Sequence, residues 1–502
     1  MNADMVLYSL LALPIIASAF IYLIGRLVVR KTERRNPACW IALIFLLLDI
    51  LPLTAAARMF LQTNQPLRVM AGAISLTFDG ISLLMAAVTL GLGILATLFS
   101  CVYMRAEEHE EKFYALLSAM IGLLMGLGCT NDLFNLWVWF EGMAISSFFL
   151  VAFYRNQPAS LEAGFKYLVQ SATGSVLVVM GIALVFARTG TLALDEIRAV
   201  AEPSPVLLAA GALFIIGFGV KSALVPLHTW LPDAHSQAPS GISAMLSGVV
   251  IEAGLVAMLR ALGGLSDISG LWGPLLLGFG AVNMLLGNLV ALRQTQVKRL
   301  LAYSSLSHMG YILLGIGGVI AFGGLESAAG GFFHIITHAL MKGLAFLSAG
   351  ALLYCLHLSR GSHDALVLDD LNGAARRYPL IAFCFSVALL SLGGLPPLAG
   401  FMSKWQIFVG GFQSGNGWMI ALVIFAALNS VLSLGYYAPM VNRLYRTTSG
   451  ELVSKGVTMP MGMAVPIVIL TAAIIVLGFL PSLAKVITYP AAQSLLAALG
   501  GF

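Results

Sequence analysis

Charged side chains are scarce in this sequence, since Asp, Glu, Lys and Arg together make up only 10% of its 502 residues. Soluble proteins carry roughly 25%, whereas apolar residues reach 59% here, which excludes both a soluble globular fold and a disordered chain. The apolar sequence is long enough for about fourteen stretches of roughly 20 residues, the length that crosses a hydrocarbon core as a helix. The composition therefore predicts an all-α integral membrane protein.

Cysteine is also rare. No CxxC pair and no regular spacing occur, which argues against a disulfide, zinc or iron–sulfur framework. No glycine fingerprint for a dinucleotide follows a strand, so we expect no metal and no cofactor in this chain. The net charge of +5 marks membrane topology rather than a basic patch, and we expect no nucleic-acid partner. The five cysteines are Cys39, Cys101, Cys129, Cys355 and Cys384.

Fourteen long apolar runs follow one another along the chain. The first is too long, and too little like a cleaved signal peptide, to be removed in processing. Little sequence follows the last run. The runs, numbered as spans 1 to 14, lie near residues 6–28, 38–61, 78–104, 113–130, 132–154, 160–187, 205–229, 240–262, 272–294, 298–322, 326–357, 378–413, 417–442 and 460–484.

The basic residues are divided unequally between the two sides of the membrane. Of the 27 lysines and arginines, 17 fall in connections after odd-numbered spans, Arg34 and Arg35 among them, six fall on the opposite side and four lie within spans. The positive-inside rule makes the odd connections cytoplasmic. We therefore expect a multi-pass protein of the inner (plasma) membrane with both termini on the non-cytoplasmic side.

Two of the four intramembrane lysines lie beside helix-breaking residues. Pro226 and Pro232 follow Lys221, and a Pro-Pro pair precedes Lys404. A lysine in the middle of a span costs at least ~2.5 kcal/mol, and proline interrupts a helix. Broken helices at membrane depth are tolerated where they line a polar cavity, and paired breaks indicate a transport site. Spans 7 and 12 are therefore predicted to be broken.

The positions of the two breaks suggest an internal repeat. If spans 4 to 8 and 9 to 13 are copies, each broken span takes the fourth place, and a five-helix unit repeated once must be inverted. The predicted divisions are 1–107 for the N-terminal helices, 108–263 for the first repeat, 264–446 for the second, inverted repeat and 447–502 for span 14 with the C-terminal segment.

Glu141 is the acidic counterpart of these lysines, deep in span 5. Burial favours its protonated form, whereas a nearby lysine favours the charged form. If Lys221 lies close, a proton on either group changes the affinity of the other, the minimum requirement for a coupled relay. A purely structural ion pair is the alternative.

Lys166 begins span 6 with Glu162 one turn earlier. An i,i+4 ion pair near the interface is one explanation for this lysine. Membership of a proton path is the other.

Further polar groups occupy spans 10 and 11. His334, His338 and Lys342 are spaced i, i+4, i+8, which stacks them on one face of a helix, and His308 lies on span 10. The HIITH pattern lacks the glutamate of zinc proteases and has no evident third ligand. A hydrated proton wire is therefore the preferred interpretation, because histidine changes charge near neutral pH.

Two more titratable residues are candidates for the proton path. Glu252 is an intramembrane acid on span 8, next in chain order to Lys221. His228 lies in the HTWLPDAH segment, where it is as suited to capping a helix end as to carrying protons.

These segments together resemble the antiporter-like subunits of respiratory complex I, their relatives in Mrp-type cation/proton antiporters, and the equivalents in membrane-bound hydrogenases. The likeness runs from about residue 78 to 440. It is carried by FDGISLL from Phe78, LFNLWVWFEGMAISSF around Glu141, KSALVPLHTWLPDAHSQAPSGISAMLSG from Lys221, VKRLLAYSSLSHMGYIL from Val297, FFHIITHALMKGLAFLSAG from Phe332 and LPPLAGFMSKW from Leu395.

The resemblance implies about 14 transmembrane helices, inverted repeats and partner subunits in one membrane arm. It implies that Glu141 and Lys221 form the inner pair of a proton path and that Lys404 connects to the far side. His334, His338 and Lys342 correspond to the polar line of span 11.

Two features depart from the family pattern. Many members carry lysine in the middle of span 8, where this chain has Glu252, which reverses the charge of the central link. The long lateral helix of the distal complex I subunit is absent after span 14. Lysine rather than glutamate at 404 favours the classes that resemble the quinone-proximal antiporter-like subunit or the second large Mrp subunit.

The resemblance implies proton translocation as an antiporter-like subunit of a complex I-type, redox-driven pump. The alternatives are a subunit of an Mrp-type Na⁺/H⁺ antiporter or of a membrane-bound hydrogenase, a structural membrane-arm scaffold, and a carrier of a small solute. The expected partners are other membrane subunits, the lipid bilayer and protons, with Na⁺ as a further candidate.

Overall fold

The computed structural model describes residues 2–32, 37–72, 74–105, 107–448 and 450–500. Arg34 and Arg35 of the first basic connection lie outside the described residues. The α-helices are α1 (Ala3–Thr32), α2 (Ala38–Leu48), α3 (Ile50–Thr63), α4 (Gly80–Tyr103), α5 (Glu110–Gly128), α6 (Leu133–Val151), α7 (Pro158–Thr189), α8 (Leu194–Val200), α9 (Pro205–Lys221), α10 (Trp230–Gln237), α11 (Ser240–Met245), α12 (Ile251–Gly263), α13 (Trp272–Ala291), α14 (Val297–Phe322), α15 (Leu325–Leu356), α16 (Pro379–Gly393), α17 (Ala399–Gln413), α18 (Gly417–Leu444), α19 (Glu451–Lys455), α20 (Met461–Phe479) and α21 (Lys485–Ala498).

The all-α membrane architecture is confirmed. Within the described ranges, 12 helical segments are long and apolar enough to cross a membrane, and α9 and α16 are two shorter apolar helices. The predicted boundaries at 107 and 446 fall between helices, and 263 ends α12. The total of 14 spans and the inverted repeat remain predictions.

Both predicted interruptions are present. Span 7 is interrupted where α9 ends, before α10 begins, and span 12 is interrupted between α16 and α17. Polar side chains satisfy the backbone groups that the first break frees: Asn283 on α13 accepts from the N–H of Val225 at 2.8 Å and donates to the carbonyl of Ala223 at 3.1 Å. In the second break, the Ser391 hydroxyl accepts from the N–H of Gly400 at 3.0 Å. At each break, backbone groups that the interruption frees are thus paired with side chains of the protein.

Two local features were not anticipated from the sequence. A β-hairpin pairs β1 (Leu67–Ala71) antiparallel with β2 (Ile74–Phe78) between α3 and α4, and Gly72 provides the left-handed turn with φ +66°. A π-helical segment, Leu246–Val250, joins α11 to α12 within span 8. A π-segment widens the helix locally and commonly marks functional sites.

The core lies around α15 and span 8. The most apolar window of Ser240–Gly263 is 100% buried within the chain and that of α15 is 89% buried. α15 packs against α4, α11, α14, α16, α17, α20 and α21. Polar groups on α15 are therefore shielded from lipid on nearly every side.

Candidate functional site

Lys221 is the last residue of α9 and is buried in an aromatic cage. Its Nζ donates to the hydroxyl of Ser171 at 3.2 Å. The same Nζ lies 4.3 Å from the ring centre of Tyr167, 5.9 Å from that of Phe140 and 6.0 Å from that of Trp230. Aromatic faces attract a cation, and the C-terminus of a helix favours positive charge. The site therefore accommodates a charged lysine without a carboxylate in contact.

A pair of glycines brings Ser171 to Lys221. Gly174 on α7 and Gly217 on α9 face each other so closely that a Cβ on either would lie 2.7 Å from the other's carbonyl oxygen. Small residues allow such close helix contact in membranes. Ser171 lies one turn before Gly174 and Lys221 one turn after Gly217, so the close contact sets the two side chains opposite each other.

Glu141, on α6, does not form the contact ion pair that its role in a coupled relay had suggested. No Lys221–Glu141 pair occurs within 4 Å among the described residues, and the buried Oε1 of Glu141 has no hydrogen-bond partner there. The Glu141 carboxylate is therefore not engaged in a contact ion pair with Lys221, which leaves it available for a proton.

Lys166 forms the predicted i,i+4 ion pair with Glu162, at 2.7 Å. It also contacts Asp233 at 3.0 Å, and Arg299 contacts the other oxygen of Asp233 at 2.5 Å. The side chain of Lys166 is 46% exposed within the chain. Partial burial raises the pKa of Asp233, but hydrogen bonds from Lys166 and Arg299 outweigh it and hold the pKa below its ordinary value.

This ionic cluster is connected towards Lys221 by polar side chains of α7. Gln170, one turn after Lys166, donates to the hydroxyl of Thr229 at 2.5 Å. Ser171 is the next residue and contacts Lys221. A row of polar groups thus leads from the surface to the buried lysine.

Glu252 and His338 form a buried pair at the centre. His338 Nδ1 and Glu252 Oε1 are 2.7 Å apart, and neither side chain is exposed. The second oxygen of Glu252 and Nε2 of His338 have no partner among the described residues. This buried acid therefore has a histidine beside it, and the pair is able to hold a proton on either member.

Three stacked histidines extend this centre towards span 12. The ring of His308 lies 5.2 Å from each of the rings of His334 and His338, and its Nδ1 is 3.0 Å from Nε2 of His334. His334 Nδ1 is in turn 2.9 Å from the hydroxyl of Ser403, which also accepts from Thr337 at 2.8 Å. His308, His334 and Ser403 thus form one hydrogen-bonded chain.

Close packing of α15 on α17 sets this geometry. A Cβ on Gly330 would lie 2.7 Å from the backbone nitrogen of Ile407, and one on Gly410 would lie 2.6 Å from Ser327. His334 is one turn beyond Gly330, and Ser403 is one turn before Ile407. The helix contact therefore brings these two polar groups together.

Lys404 is next to Ser403 and is anchored to the break in span 12. Its Nζ donates at 2.9 Å to the carbonyl of Leu392 and to the hydroxyl of Ser430, and it lies 4.6 Å from the ring centre of Tyr311. Loss of helical structure after α16 frees the carbonyl that binds the lysine. The interruption is thus part of the binding site of the charge.

The two remaining candidates occupy less connected positions. Lys342 donates to the carbonyl of Leu301 at 2.7 Å and to the hydroxyl of Ser304. His228 lies with its ring centre 6.3 Å from that of Tyr303, and its buried Nδ1 has no partner among the described residues.

Sequence reasoning did not single out several residues that contact the candidate groups, among them the aromatic cage of Lys221 and also Ser171, Tyr311, Ser403 and Ser430. Serine and tyrosine are ordinary residues of membrane helices, so nothing in their type distinguished them. Only Ser403 had a weak signal, because it is adjacent in sequence to the intramembrane Lys404.

Among the described residues the hydrogen bonds do not join the candidate groups into one chain: Lys221, Glu252 with His338, and His308 through Ser403 lie in separate groups, as do Lys342 and Lys404. Transfer between groups requires side-chain rotation or bridging water. The arrangement is chemically suited to moving protons in steps.

Comparison with known proteins identifies related chains. The family model described as "NADH:quinone oxidoreductase/Mrp antiporter, TM" matches residues 130–430, and the model for the N-terminus of complex I chain 5 matches residues 70–114.

Two relatives and one solved structure are similar over most of their length. F(420)H(2) dehydrogenase subunit N of Methanosarcina mazei is 33% identical, over 81% of this chain and 82% of its own. NADH-quinone oxidoreductase subunit N of Desulforudis audaxviator is 30% identical, over 77% and 78%. A chain of the membrane-bound sulfane sulfur reductase, an archaeal respiratory membrane complex, superimposes with a TM-score of 0.86 at 28% identity, over 99% of this chain and 100% of that one.

Proposed function

The chain belongs to the NADH:quinone oxidoreductase/Mrp antiporter membrane family, and from this membership we propose that it translocates protons as an antiporter-like subunit of a complex I-type, redox-driven pump. The carrying observation is the set of buried titratable groups from Lys221 through Glu252 and His338 to Lys404, in which the two lysines lie at helix interruptions. Intramembrane ionisable residues are rare and mark ion paths.

Proton uptake begins at the ionic cluster of Lys166 and Asp233, which lies on the cytoplasmic side in the predicted orientation. Gln170 and Ser171 then lead to Lys221. Glu141 controls this step at a distance: when it is ionised it stabilises a proton on Lys221, and when it is protonated that stabilisation is lost.

The central pair then takes up the proton. The Glu252 carboxylate accepts it or shares it with His338 at 2.7 Å, and the stacked rings of His308 and His334 carry it to Ser403. A positive charge arriving on His334 repels the ammonium of Lys404 close by. Lys404 then releases its own proton to the far side.

The driving reaction belongs to partner subunits, since members of the family are subunits of multisubunit membrane complexes. The relatives named for F(420)H(2) and NADH oxidation favour a redox driver, and we place all cofactors in those other chains. A subunit of an Mrp-type Na⁺/H⁺ antiporter or a membrane-bound hydrogenase is the second candidate. We propose the inner membrane as the location, with both termini outside.

The test is proton uptake by the native complex, purified through a tag on this chain and reconstituted in liposomes. Lys221→Met is expected to abolish proton uptake while the complex remains assembled, and Lys485→Met, at an exposed position, is expected to leave it unchanged. Uptake that is driven by a Na⁺ gradient and insensitive to electron donors would assign the antiporter. Normal pumping by an assembled Lys221→Met complex would refute the proposal. If less complex assembles but the assembled fraction still couples proton uptake to the driving reaction, the chain is a scaffold.

A further inference from the structure

A second polar region lies apart from the proton path. A cavity of about 740 Å³ opens where α1, α5 and α6 meet the connections before α5 and after α15. By the predicted topology this is the cytoplasmic end of the helices. None of the residues proposed to carry protons lines it.

One half of the cavity wall is apolar and continues onto the outer surface of the helices. Leu116 on α5 and Ala152 beside α6 line its inner part. Phe149 and Tyr22 line its outer part and are 53% and 40% exposed within the chain. The cavity thus opens sideways along the helices and not only towards the aqueous phase.

The other half carries charges of both signs. Lys112 and Arg155 line the cavity together with Glu107 and Glu108. None of these four forms an ion pair within 4 Å in the described part of the chain, although eleven other pairs do. Burial raises the pKa of Glu107, opposed by the nearby His363. Two cations and two carboxylates are therefore available to an occupant.

The backbone at the mouth is held in an unusual conformation. His109, which also lines the cavity, has φ +66° and ψ +35° at the start of α5. Left-handed non-glycine residues are uncommon and cluster at ligand sites among other places.

We propose that this cavity binds a zwitterionic phospholipid with a primary amine, of the phosphatidylethanolamine class. Lys112 and Arg155 contact its phosphate, Glu107 and Glu108 contact its ammonium group, and the acyl chains lie along Phe149 and Tyr22.

Charge complementarity selects this headgroup over the other common ones. Apart from the histidines His109 and His363, the ionisable groups named along the cavity wall are two cations and two carboxylates, whose charges sum to zero and match a headgroup of zero net charge. An anionic glycerol headgroup meets the two carboxylates without a cation of its own. A choline headgroup carries its charge but has no N–H to donate to a carboxylate, and charge-assisted hydrogen bonds are the strong ones.

The test is native mass spectrometry of the delipidated complex with phosphatidylethanolamine, phosphatidylcholine and phosphatidylglycerol of identical acyl chains. Phosphatidylethanolamine is expected to bind at least tenfold more tightly than either other lipid. Soluble glycerophosphoethanolamine at the same concentration is expected not to bind, because it lacks the chains. Equal binding of the three lipids, or equal binding of the soluble headgroup, would overturn the proposal.

Two variants locate the preference at this cavity. Glu107→Gln with Glu108→Gln is expected to lose the preference for phosphatidylethanolamine and to gain phosphatidylglycerol binding. Lys112→Gln with Arg155→Gln is expected to bind neither phosphatidylethanolamine nor phosphatidylglycerol. Substitution of Glu196 and Glu202 by glutamine, on the opposite side of the membrane, is the matched control and should change nothing. Unaltered preference in both cavity variants contradicts the assignment.

Photocrosslinking covers the case in which a variant fails to fold. With p-benzoylphenylalanine in place of Phe149 in the otherwise unchanged complex, the expected adduct has the mass of phosphatidylethanolamine. A crosslink to another subunit would show that protein fills the cavity and would overturn the proposal.

Discussion

Replacement of Ser403 by alanine tests the hydrogen-bonded chain with minimal change of shape. The substitution removes one oxygen, and with it the contacts to His334 at 2.9 Å and Thr337 at 2.8 Å. A net hydrogen bond contributes about 1 kcal/mol, and a buried nitrogen left without a partner costs about 1–3 kcal/mol. A loss of about 2 kcal/mol in the transfer step corresponds to a roughly 30-fold slower rate, because each 1.36 kcal/mol is tenfold.

The assay is the initial rate of proton uptake by liposomes that contain the complex, divided by the rate of the driving reaction. Ser348→Ala is the matched control. Ser348 lies on α15 and is buried like Ser403, but its hydroxyl has no hydrogen-bond partner among the described residues. We expect Ser348→Ala to pump normally and Ser403→Ala to pump at least tenfold more slowly. Equal rates for the two variants would show that protons do not pass through His334 and Ser403.

Three further predictions follow from the charged contacts. Glu252→Lys should stop pumping in the liposome assay, because a proton on His338 would then lie beside the positive charge of the new lysine. Adding His338→Glu should restore part of the rate, and a double variant without any restoration would argue against the pair. Asp79→Asn should lower the unfolding free energy by about 3–5 kcal/mol, because it leaves Arg260 buried without its 2.6 Å partner, and Asp79→Asn with Arg260→Met should be less destabilised in a thermal melt. Ion pairs depress the folded-state pKa of Asp233, so the stabilisation that Asp233 provides is complete above its unfolded-state pKa of about 3.9 and is lost as the pH falls through its folded-state pKa. The Tm difference between the unaltered protein and Asp233→Asn should therefore vanish only at that low pH. A Tm difference that already disappears at neutral pH would contradict this prediction.

The elements that sequence reasoning predicted best are those set by local chemistry. Proline and the expense of a buried lysine are properties of single residues, so the residue types alone were enough to predict the breaks near Lys221 and Lys404. The i,i+4 pair of Lys166 with Glu162 follows from helix geometry alone. The membrane class follows from composition.

The contacts between helices could not be predicted in the same way. The distance between Glu141 and Lys221 depends on how α6, α7 and α9 pack, and the aromatic cage takes the place expected for the carboxylate. The partners Ser171 and Ser403 are set by glycine contacts on neighbouring helices. A sequence shows that a glycine is present but not which helix it faces.

The π-helical segment Leu246–Val250 has a consequence for the tolerance of this chain to insertions and deletions. It accommodates one residue more than a regular turn, and each residue of an α-helix advances its face by about 100°. Removing one amino acid there would let the segment relax to a regular α-helical turn, and Glu252 would keep its place beside His338 and Arg260 its place beside Asp79. Adding one amino acid would exceed what the segment holds and would rotate both residues away from their partners at once. The central acid and the ion pair at the end of the same helix therefore share a single angular setting, and insertions at this point are expected to disable both together, whereas a one-residue deletion is expected to be tolerated.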